Sequence, residues 1–192
     1  MTTVTWDLAM NYDDITDLKK IEKELTDLSW QLDATEHDPE DYEEALNRLY
    51  PGEVKKAAKR ASELGLVQGM HLYGRMLQYE ASQLKKEGKA YEELQTKARE
   101  LVIQAAKNGC WGAMDDLGTE YVEELNPSMP EQLAFTKLSG HDPLKHVNYL
   151  RKRLGLAITQ EDIDKGLELY EEIHKYMVEN GIEKKQCYCI FP

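Results

Sequence analysis

The segments ASELGLVQGMHLYGRML, residues 61–77, and AAKNGCWGAMDDLGTEY, residues 105–121, resemble each other position by position. Their first residues, Ala61 and Ala105, lie 44 residues apart, which is the kind of period that stacked helical hairpins produce. Both copies place small residues and large apolar residues at equivalent positions. The equivalent pairs are Ala61/Ala105, Gly65/Gly109, Gly69/Ala113, Gly74/Gly118, Tyr73/Leu117 and Leu77/Tyr121. The sequence therefore predicts two consecutive helical repeats.

Each copy spans the end of one helix, a short turn and the start of the next helix. Gly65 and Gly109 follow a helix whose last turn holds the alanine, so we expect both glycines in the left-handed conformation that closes a helix. Gly74 and Gly118 fall inside the following helix, where glycine costs up to about 1 kcal/mol relative to alanine. Close packing must offset this cost, so we expect a neighbouring helix to lie against both glycines.

The second copy resembles the Sel-like repeat, a relative of the tetratricopeptide repeat with the pattern A-A-x-x-G-x-x-x-A-x-x-x-L-G-x-x-Y. It matches every specified position with Ala105, Ala106, Gly109, Ala113, Leu117, Gly118 and Tyr121. Ala98 also matches the small residue that the family places early in the second helix of the hairpin. The first copy departs from the pattern at Ser62, Gly69, Tyr73 and Leu77, each time with a residue of tolerable size. The resemblance covers about residues 50–125.

The resemblance implies an all-α superhelix, a short right-handed solenoid of antiparallel helix hairpins whose concave groove binds proteins and rarely catalyses a reaction. In this interpretation residues 1–192 form a single domain, with two Sel-like repeats at residues 51–125. Solenoids need atypical end units to cover the faces of their last repeats. We therefore expect an acidic helical cap at residues 1–50 and a helical cap with a tail at residues 126–192. Whether residues 126–192 form a third, degenerate repeat stays open.

Helical periodicity and cap signals predict further helices outside the two copies. Glu, Lys, Leu and Ala are abundant and proline is rare, so no strands are expected. Thr159 and Asp162 approximate a capping box, Asn180 and Gly181 signal a helix end, and Pro143 suits a first helical turn. The expected helices run from about Asp13 to Leu32, Asp41 to Tyr50, Lys89 to Lys107, Pro143 to Leu154 and Thr159 to Asn180.

The chain carries a formal net charge of −12, and most of the acidic excess lies in residues 1–50. A field of this sign repels nucleic-acid phosphates and attracts basic protein surfaces. The alternative explanation is that the charge only keeps the protein soluble. No stretch approaches the roughly 20 apolar residues that cross a bilayer, and residues 1–10 lack the features of a secretory signal. We therefore expect a cytoplasmic protein that binds neither nucleic acid nor membrane.

The cysteines offer little support for catalysis or metal binding. Cys110, Cys187 and Cys189 are expected as free thiols in a reducing compartment. The single residue between Cys187 and Cys189 is shorter than the usual zinc spacing, so neither a metal nor another cofactor is expected. Cys110 lies between two predicted helices, where a thiolate can be stabilised. The sequence reveals no histidine paired with it, which favours an inert thiol over a nucleophile.

These features favour a non-catalytic module that binds another protein through its repeat helices. The candidate contact residues are Trp111, Asp115, Asp116 and Glu120. Trp111 occupies a position that the family leaves variable, so it is either an anchor for the partner or a core residue. The acidic, repeat-containing sequence resembles immunity and adaptor proteins, which implies a basic toxin or effector as the partner. The alternatives are a hydrolase or transferase with an unrecognised site, and a structural homo-oligomer joined through the first helix.

Overall fold

The computed structural model describes residues 15–33, 52–119, 125 and 127–185. Within these ranges the chain forms α-helices and no β-strands, which confirms the predicted all-α class. The described helices are α1 (Leu18–Asp33), α2 (Glu53–Glu63), α3 (Val67–Lys86), α4 (Glu92–Lys107), α5 (Trp111–Gly118), α6 (Met129–Ser139), α7 (Pro143–Leu154) and α8 (Gln160–Glu179).

Two helices begin later than the sequence predicted. α1 begins at Leu18 instead of near Asp13, because Asp17 caps the helix. Its carboxylate accepts the backbone N–H of Lys19. α4 begins three residues after its predicted start, since the turn that follows α3 extends further along the chain. The short helix predicted over residues 41–50 lies outside the described residues.

Successive helices from α1 to α7 pack against each other in order, and α8 packs against α6. Glycines permit close approach at several of these contacts. A Cβ atom on Gly74 of α3 would lie 2.8 Å from a methyl group of Val102 in α4, and one on Gly118 of α5 would lie 2.6 Å from the backbone nitrogen of Thr136 in α6. Gly166 of α8 makes a similar approach to α6. The expectation that a neighbouring helix lies against Gly74 and Gly118 is confirmed.

The turns between α2 and α3 and between α4 and α5 depend on glycines with positive φ. Gly65 has a φ of 82° and Gly109 a φ of 94°, as the two copies of the repeat predict. The second turn is covered by residues 182–185, which the sequence marks only as a tail. Lys185 donates its N–H to the carbonyl of Gly109 at 2.8 Å, and its carbonyl accepts the N–H of Trp111 at 3.0 Å. This segment therefore fixes the start of α5.

The predicted cap signals near the carboxyl end of the chain are confirmed. Thr159 and Asp162 form a reciprocal capping box at the start of α8, and Asp142 caps α7 with Pro143 in the first turn. Gly181 follows the end of α8 with a φ of 62°. A second capping box, formed by Ser128 and Glu131, begins α6 and was not predicted.

Buried apolar side chains form clusters that follow the row of helices. One cluster joins α1 to α4, a second joins α3 to α6 with α8, and a third joins α6, α7 and α8. α5 belongs to the second cluster, in which Ala113, Met114 and Leu117 are fully buried. The opposite side of α5 carries Trp111 and the aspartates of the candidate site, so the core positions these residues at the protein surface.

Candidate functional site

Trp111 is the first residue of α5 and is held at its polar edge. The indole N–H donates a hydrogen bond to the carbonyl oxygen of Ser139 at 2.8 Å, at the end of α6. The side chain is nevertheless 37% exposed. Trp111 therefore presents part of its ring to solvent in an orientation that one hydrogen bond and the packing of α5 determine.

Asp115 lies one helical turn after Trp111 on the same side of α5. Its carboxylate is 3.2 Å from Nε2 of His141, which follows α6. Both side chains are partly exposed, so solvent weakens the attraction between them. Trp111 and Asp115 thus contact the same end of α6, one through the carbonyl of Ser139 and one through an imidazole.

Asp116 faces the other way, towards α3 in the first copy of the repeat. One carboxylate oxygen lies 2.6 Å from Nε2 of His71 and 3.5 Å from Nε of Arg75. The Asp116 side chain is partly exposed, whereas His71 is 2% exposed. Asp116 therefore connects the two copies of the repeat through a contact that is buried on one side.

Cys110 completes this connection from the other side of the His71 ring. Its sulfur lies 3.5 Å from Nδ1 of His71, so Cys110, His71 and Asp116 form a continuous chain of polar contacts. The sequence did not reveal this histidine, which the structure places in contact with Cys110. Cys110 and His71 are 39 positions apart and are not equivalent in the two copies, so the repeat gives no signal for this pair. Asp116 lies 45 positions after His71, within one residue of the 44-residue period, and that spacing is a signal for the other pair.

The polar chain holds His71 in its charged form. Burial disfavours the imidazolium, but the hydrogen bonds with Asp116 and Cys110 and the charge of Asp116 outweigh that cost and raise the pKa of His71 to about 9. Nε2–H donates to the Asp116 carboxylate, and the contact between Nδ1 and the Cys110 sulfur is donated by the ring when it is protonated and by the thiol when it is neutral. His71 therefore carries a positive charge inside the protein at neutral pH.

A thiol, an imidazole and a carboxylate in this order are also the groups of a nucleophilic triad. Cys110, however, is 0% exposed and belongs to the apolar core around α5. No substrate atom reaches the sulfur in this conformation. The Cys110 sulfur contacts Nδ1 of His71 and the Asp116 carboxylate contacts Nε2. The described part of the chain contains no group of three or more metal-ligating side chains that could hold an ion.

Of the four candidate contact residues, the structure brings Trp111, Asp115 and Asp116 together on α5. Glu120 lies outside the described residues, as do Cys187 and Cys189. The residues that sequence reasoning missed are His71, Arg75, Ser139 and His141, which hold these three side chains.

Comparison of the chain with protein-family models, with curated proteins and with solved structures finds no match in any of the three. None of the described helices combines the length and the apolar character that are needed to cross a membrane.

Proposed function

We propose that this chain is a non-catalytic protein-binding module that contacts its partner through the solvent-facing side of α5. The observation that carries the proposal is the arrangement of Trp111, Asp115 and Asp116. All three are partly exposed, and each is held by a hydrogen bond or ion pair to a neighbouring element. Side chains that are fixed before binding lose little conformational entropy on association. Tryptophan is also among the residues most often found at the centre of protein interfaces.

The architecture we propose is a short right-handed superhelix of Sel-like hairpins. In this proposal residues 51–125 are the two repeats, and residues 1–50 and 126–192 cap its ends within one domain. The 44-residue period, the left-handed Gly65 and Gly109, and the close packing at Gly74 and Gly118 support it. In such a stack α3 and α5 are equivalent helices of successive repeats. The contact between His71 and Asp116 is then a contact between repeats.

The partner that we propose is a basic protein, most specifically a toxin that this chain neutralises as an immunity protein, or else the target of an adaptor. The net charge of −12 supports a basic partner, because complementary charge accelerates association. Asp116 already faces Arg75 and His71, so Asp115 offers the more available carboxylate to a partner's cation. Trp111 supplies the apolar contact beside it. Glu120, which lies outside the described residues, stays a predicted contact residue.

A pull-down from native lysate tests the proposal. The full chain carries an affinity tag at its amino end, because residues 182–185 lie beside Trp111 at the other end. Trp111→Ala and Asp115→Arg alter the proposed surface, and Tyr176→Ala alters an exposed aromatic residue of α8 as the matched control. We expect the wild-type chain and Tyr176→Ala to retain one partner, and each α5 variant to retain roughly tenfold less.

Co-expression then separates an immunity protein from an adaptor. If the captured partner stops cell growth, the wild-type chain and Tyr176→Ala should restore growth, and the two α5 variants should not. Absence of any retained partner, or equal retention by all variants with unchanged circular dichroism, contradicts the proposed surface. A retained partner that is not toxic supports an adaptor.

The second candidate function is a thiol-dependent hydrolase or transferase. The specific observation in its favour is the 3.5 Å contact between Cys110 and His71, with Asp116 on the far side of the imidazole. Such an enzyme would need an opened conformation, because the sulfur is fully buried. The reactivity of Cys110 distinguishes the two functions.

A further inference from the structure

α7 is strongly basic within an acidic chain, in which residues 53–89 also carry more basic than acidic side chains. Its twelve residues include four basic residues, Lys145, Arg151, Lys152 and Arg153, and no acidic residue. The chain as a whole has a net charge of −12, and α8, which follows directly, contains seven acidic residues and two lysines. α7 is therefore a local positive patch on an acidic protein.

The basic side chains of α7 are not neutralised by the part of the chain that the structure describes. None of the four forms an ion pair with a described carboxylate, whereas Arg75, Arg99 and Lys137 in other helices do. Arg151 donates to the carbonyl of Ile158 at 2.5 Å, and the Arg153 guanidinium lies 6.0 Å from the centre of the Tyr149 ring. These contacts orient two of the side chains but leave the positive charge in place.

The same segment exposes large apolar side chains. Leu144 is 55% exposed and Leu154 is 49% exposed, and Tyr149 and Leu156 are exposed as well. Only Val147 and Leu150 of α7 are buried. Four of the nine exposed large hydrophobic residues in the described part of the chain thus lie between positions 144 and 156. With 3.6 residues per turn, Leu144, Lys145, Tyr149 and Lys152 lie on the solvent-facing side of α7, whereas Leu154 follows the buried side that carries Val147 and Leu150. Basic and apolar side chains on the solvent-facing side form a surface of the kind that marks interaction sites.

Helix stability alone does not account for this composition. Arg151, Lys152 and Arg153 lie in the last turn, where positive charge favours the helix dipole. Lys145 lies near the first turn, where positive charge is unfavourable, and exposed leucines contribute nothing to that effect. The patch therefore has features that a soluble, capped helix does not need.

We propose that α7, together with Leu156, is a docking surface for an acidic amphipathic segment of another protein. Carboxylates of that segment would pair with Lys145 and Lys152, and its apolar side chains would cover Leu144 and Tyr149. Burying these two side chains removes apolar surface from water and supplies affinity, while the charges select the partner and its orientation. This surface is separate from the one on α5 and would take a partner of opposite charge.

Charge also decides between a protein segment and the larger anions. A bilayer of acidic lipid or a nucleic acid extends far beyond the length of α7, and its remaining charges would come within a Debye length, about 8 to 10 Å, of the acidic α8 and its neighbours. Repulsion then opposes the attraction to α7. A short acidic segment on α7 brings fewer charges near α8 and therefore meets less repulsion.

Binding of a synthetic peptide to the full chain tests the proposal by fluorescence anisotropy. The probe is a labelled helical peptide with glutamates on one face and leucines on the other, and a second probe has serine at the leucine positions. Lys145→Glu/Lys152→Glu reverses two charges of α7, and Lys165→Glu/Lys175→Glu makes the same change in net charge on exposed lysines of α8. We expect the α7 pair to weaken binding of the first probe by roughly tenfold and the α8 pair to change it far less.

A third variant, Leu144→Ser, tests the apolar part without altering charge. It should weaken binding of the leucine-containing probe severalfold and leave binding of the serine-containing probe unchanged. The proposal is overturned if the leucine-containing probe does not bind at about 100 μM, or if both charge-reversed pairs weaken it equally. It is also overturned if vesicles of acidic lipid or duplex DNA bind α7 more tightly than the probe. Circular dichroism confirms that each variant is folded, and none of these outcomes depends on the α5 surface.

Discussion

Thr136 of α6 donates its hydroxyl to the backbone carbonyl of Gly118 in α5, with 2.7 Å between the two oxygens. The same threonine hydroxyl lies 2.8 Å from the carbonyl of Gln132, one turn earlier in its own helix. A Cβ atom on residue 118 would lie only 2.6 Å from the backbone nitrogen of Thr136. α5 and α6 therefore pack with their backbones in contact, and residue 118 must be glycine for them to do so.

Gly118→Ala should destabilise the protein by about 2 kcal/mol, because the added methyl group meets backbone rather than a movable side chain. In an open helix the same substitution would stabilise by up to about 1 kcal/mol, since alanine is the better helix former. The sign of the change is thus decisive. Urea denaturation followed by circular dichroism measures it, and an increase in the free energy of unfolding would contradict the close packing.

Gly155→Ala is the control for this experiment. Gly155 has a φ of 66° but no atom within 4 Å of the position of a Cβ, so its substitution reports the cost of the left-handed conformation alone. That cost is about 1 kcal/mol. We expect Gly118→Ala to destabilise more than Gly155→Ala.

The sequence predicted the positions at which backbones meet but not the groups that meet there. Gly74 and Gly118 are costly inside helices, so their presence alone implied a close neighbour. Thr136 could not be identified as that neighbour, because it lies outside the repeats and belongs to no recognisable pattern. The polar chain of Cys110, His71 and Asp116 was missed for a related reason. None of the three residues gives a signal in its own segment, and only the side-chain contacts of His71 in α3 with the other two residues join them.

The candidate site was predicted to a similar extent. Trp111 was predicted because it occupies a variable position of the repeat, and Asp115 and Asp116 because they are acidic residues of the same predicted helix. The structure places all three partly exposed on α5. Their partners Ser139 and His141 lie at the end of α6, in a part of the chain with weaker helical periodicity. Residues 182–185 were expected to be a tail, because hydrogen bonds between distant backbone segments leave no signal in the sequence.

The charge on His71 should make the protein less stable as pH rises. The pKa of His71 is about 9 in the folded chain and about 6.5 in the unfolded chain, so the folded state holds its proton more tightly. The stabilisation is complete below about pH 6.5 and is lost as pH rises through about 9, by up to about 3 kcal/mol. Urea denaturation between pH 6 and pH 9.5 should show this loss, and His71→Gln should largely remove the pH dependence over this range.

Nuclear magnetic resonance of labelled histidine side chains provides the direct check, because it does not require a folded His71→Gln variant. We expect one of the five histidines to titrate near pH 9, and Asp116→Asn to lower that pKa by removing its charged partner. If every histidine titrates near pH 6.5, the buried ion pair between His71 and Asp116 does not exist.

Cys110 should react slowly with thiol reagents in the folded protein. Its sulfur is fully buried, so the reagent must wait for local opening around α5. A Cys187→Ser/Cys189→Ser variant leaves Cys110 as the single thiol, and its reaction with a disulfide reagent is followed by absorbance. We expect the folded chain to react roughly 100-fold more slowly than the same chain in urea. A faster reaction in the folded state than in urea would favour the thiol-dependent enzyme.

Substitution of Trp111 separates its two interpretations, as an anchor for a partner and as a core residue. Trp111→Phe keeps an aromatic ring and loses the hydrogen bond to Ser139, so it should destabilise by about 1 kcal/mol. For a core residue, Trp111→Ala should cost about 3 to 5 kcal/mol. Because 37% of the side chain remains exposed, we expect a cost of about 2 kcal/mol, together with a loss of partner retention much larger than that of Trp111→Phe. A cost above about 4 kcal/mol with unchanged retention in the folded fraction would show that Trp111 supports the fold and does not contact the partner.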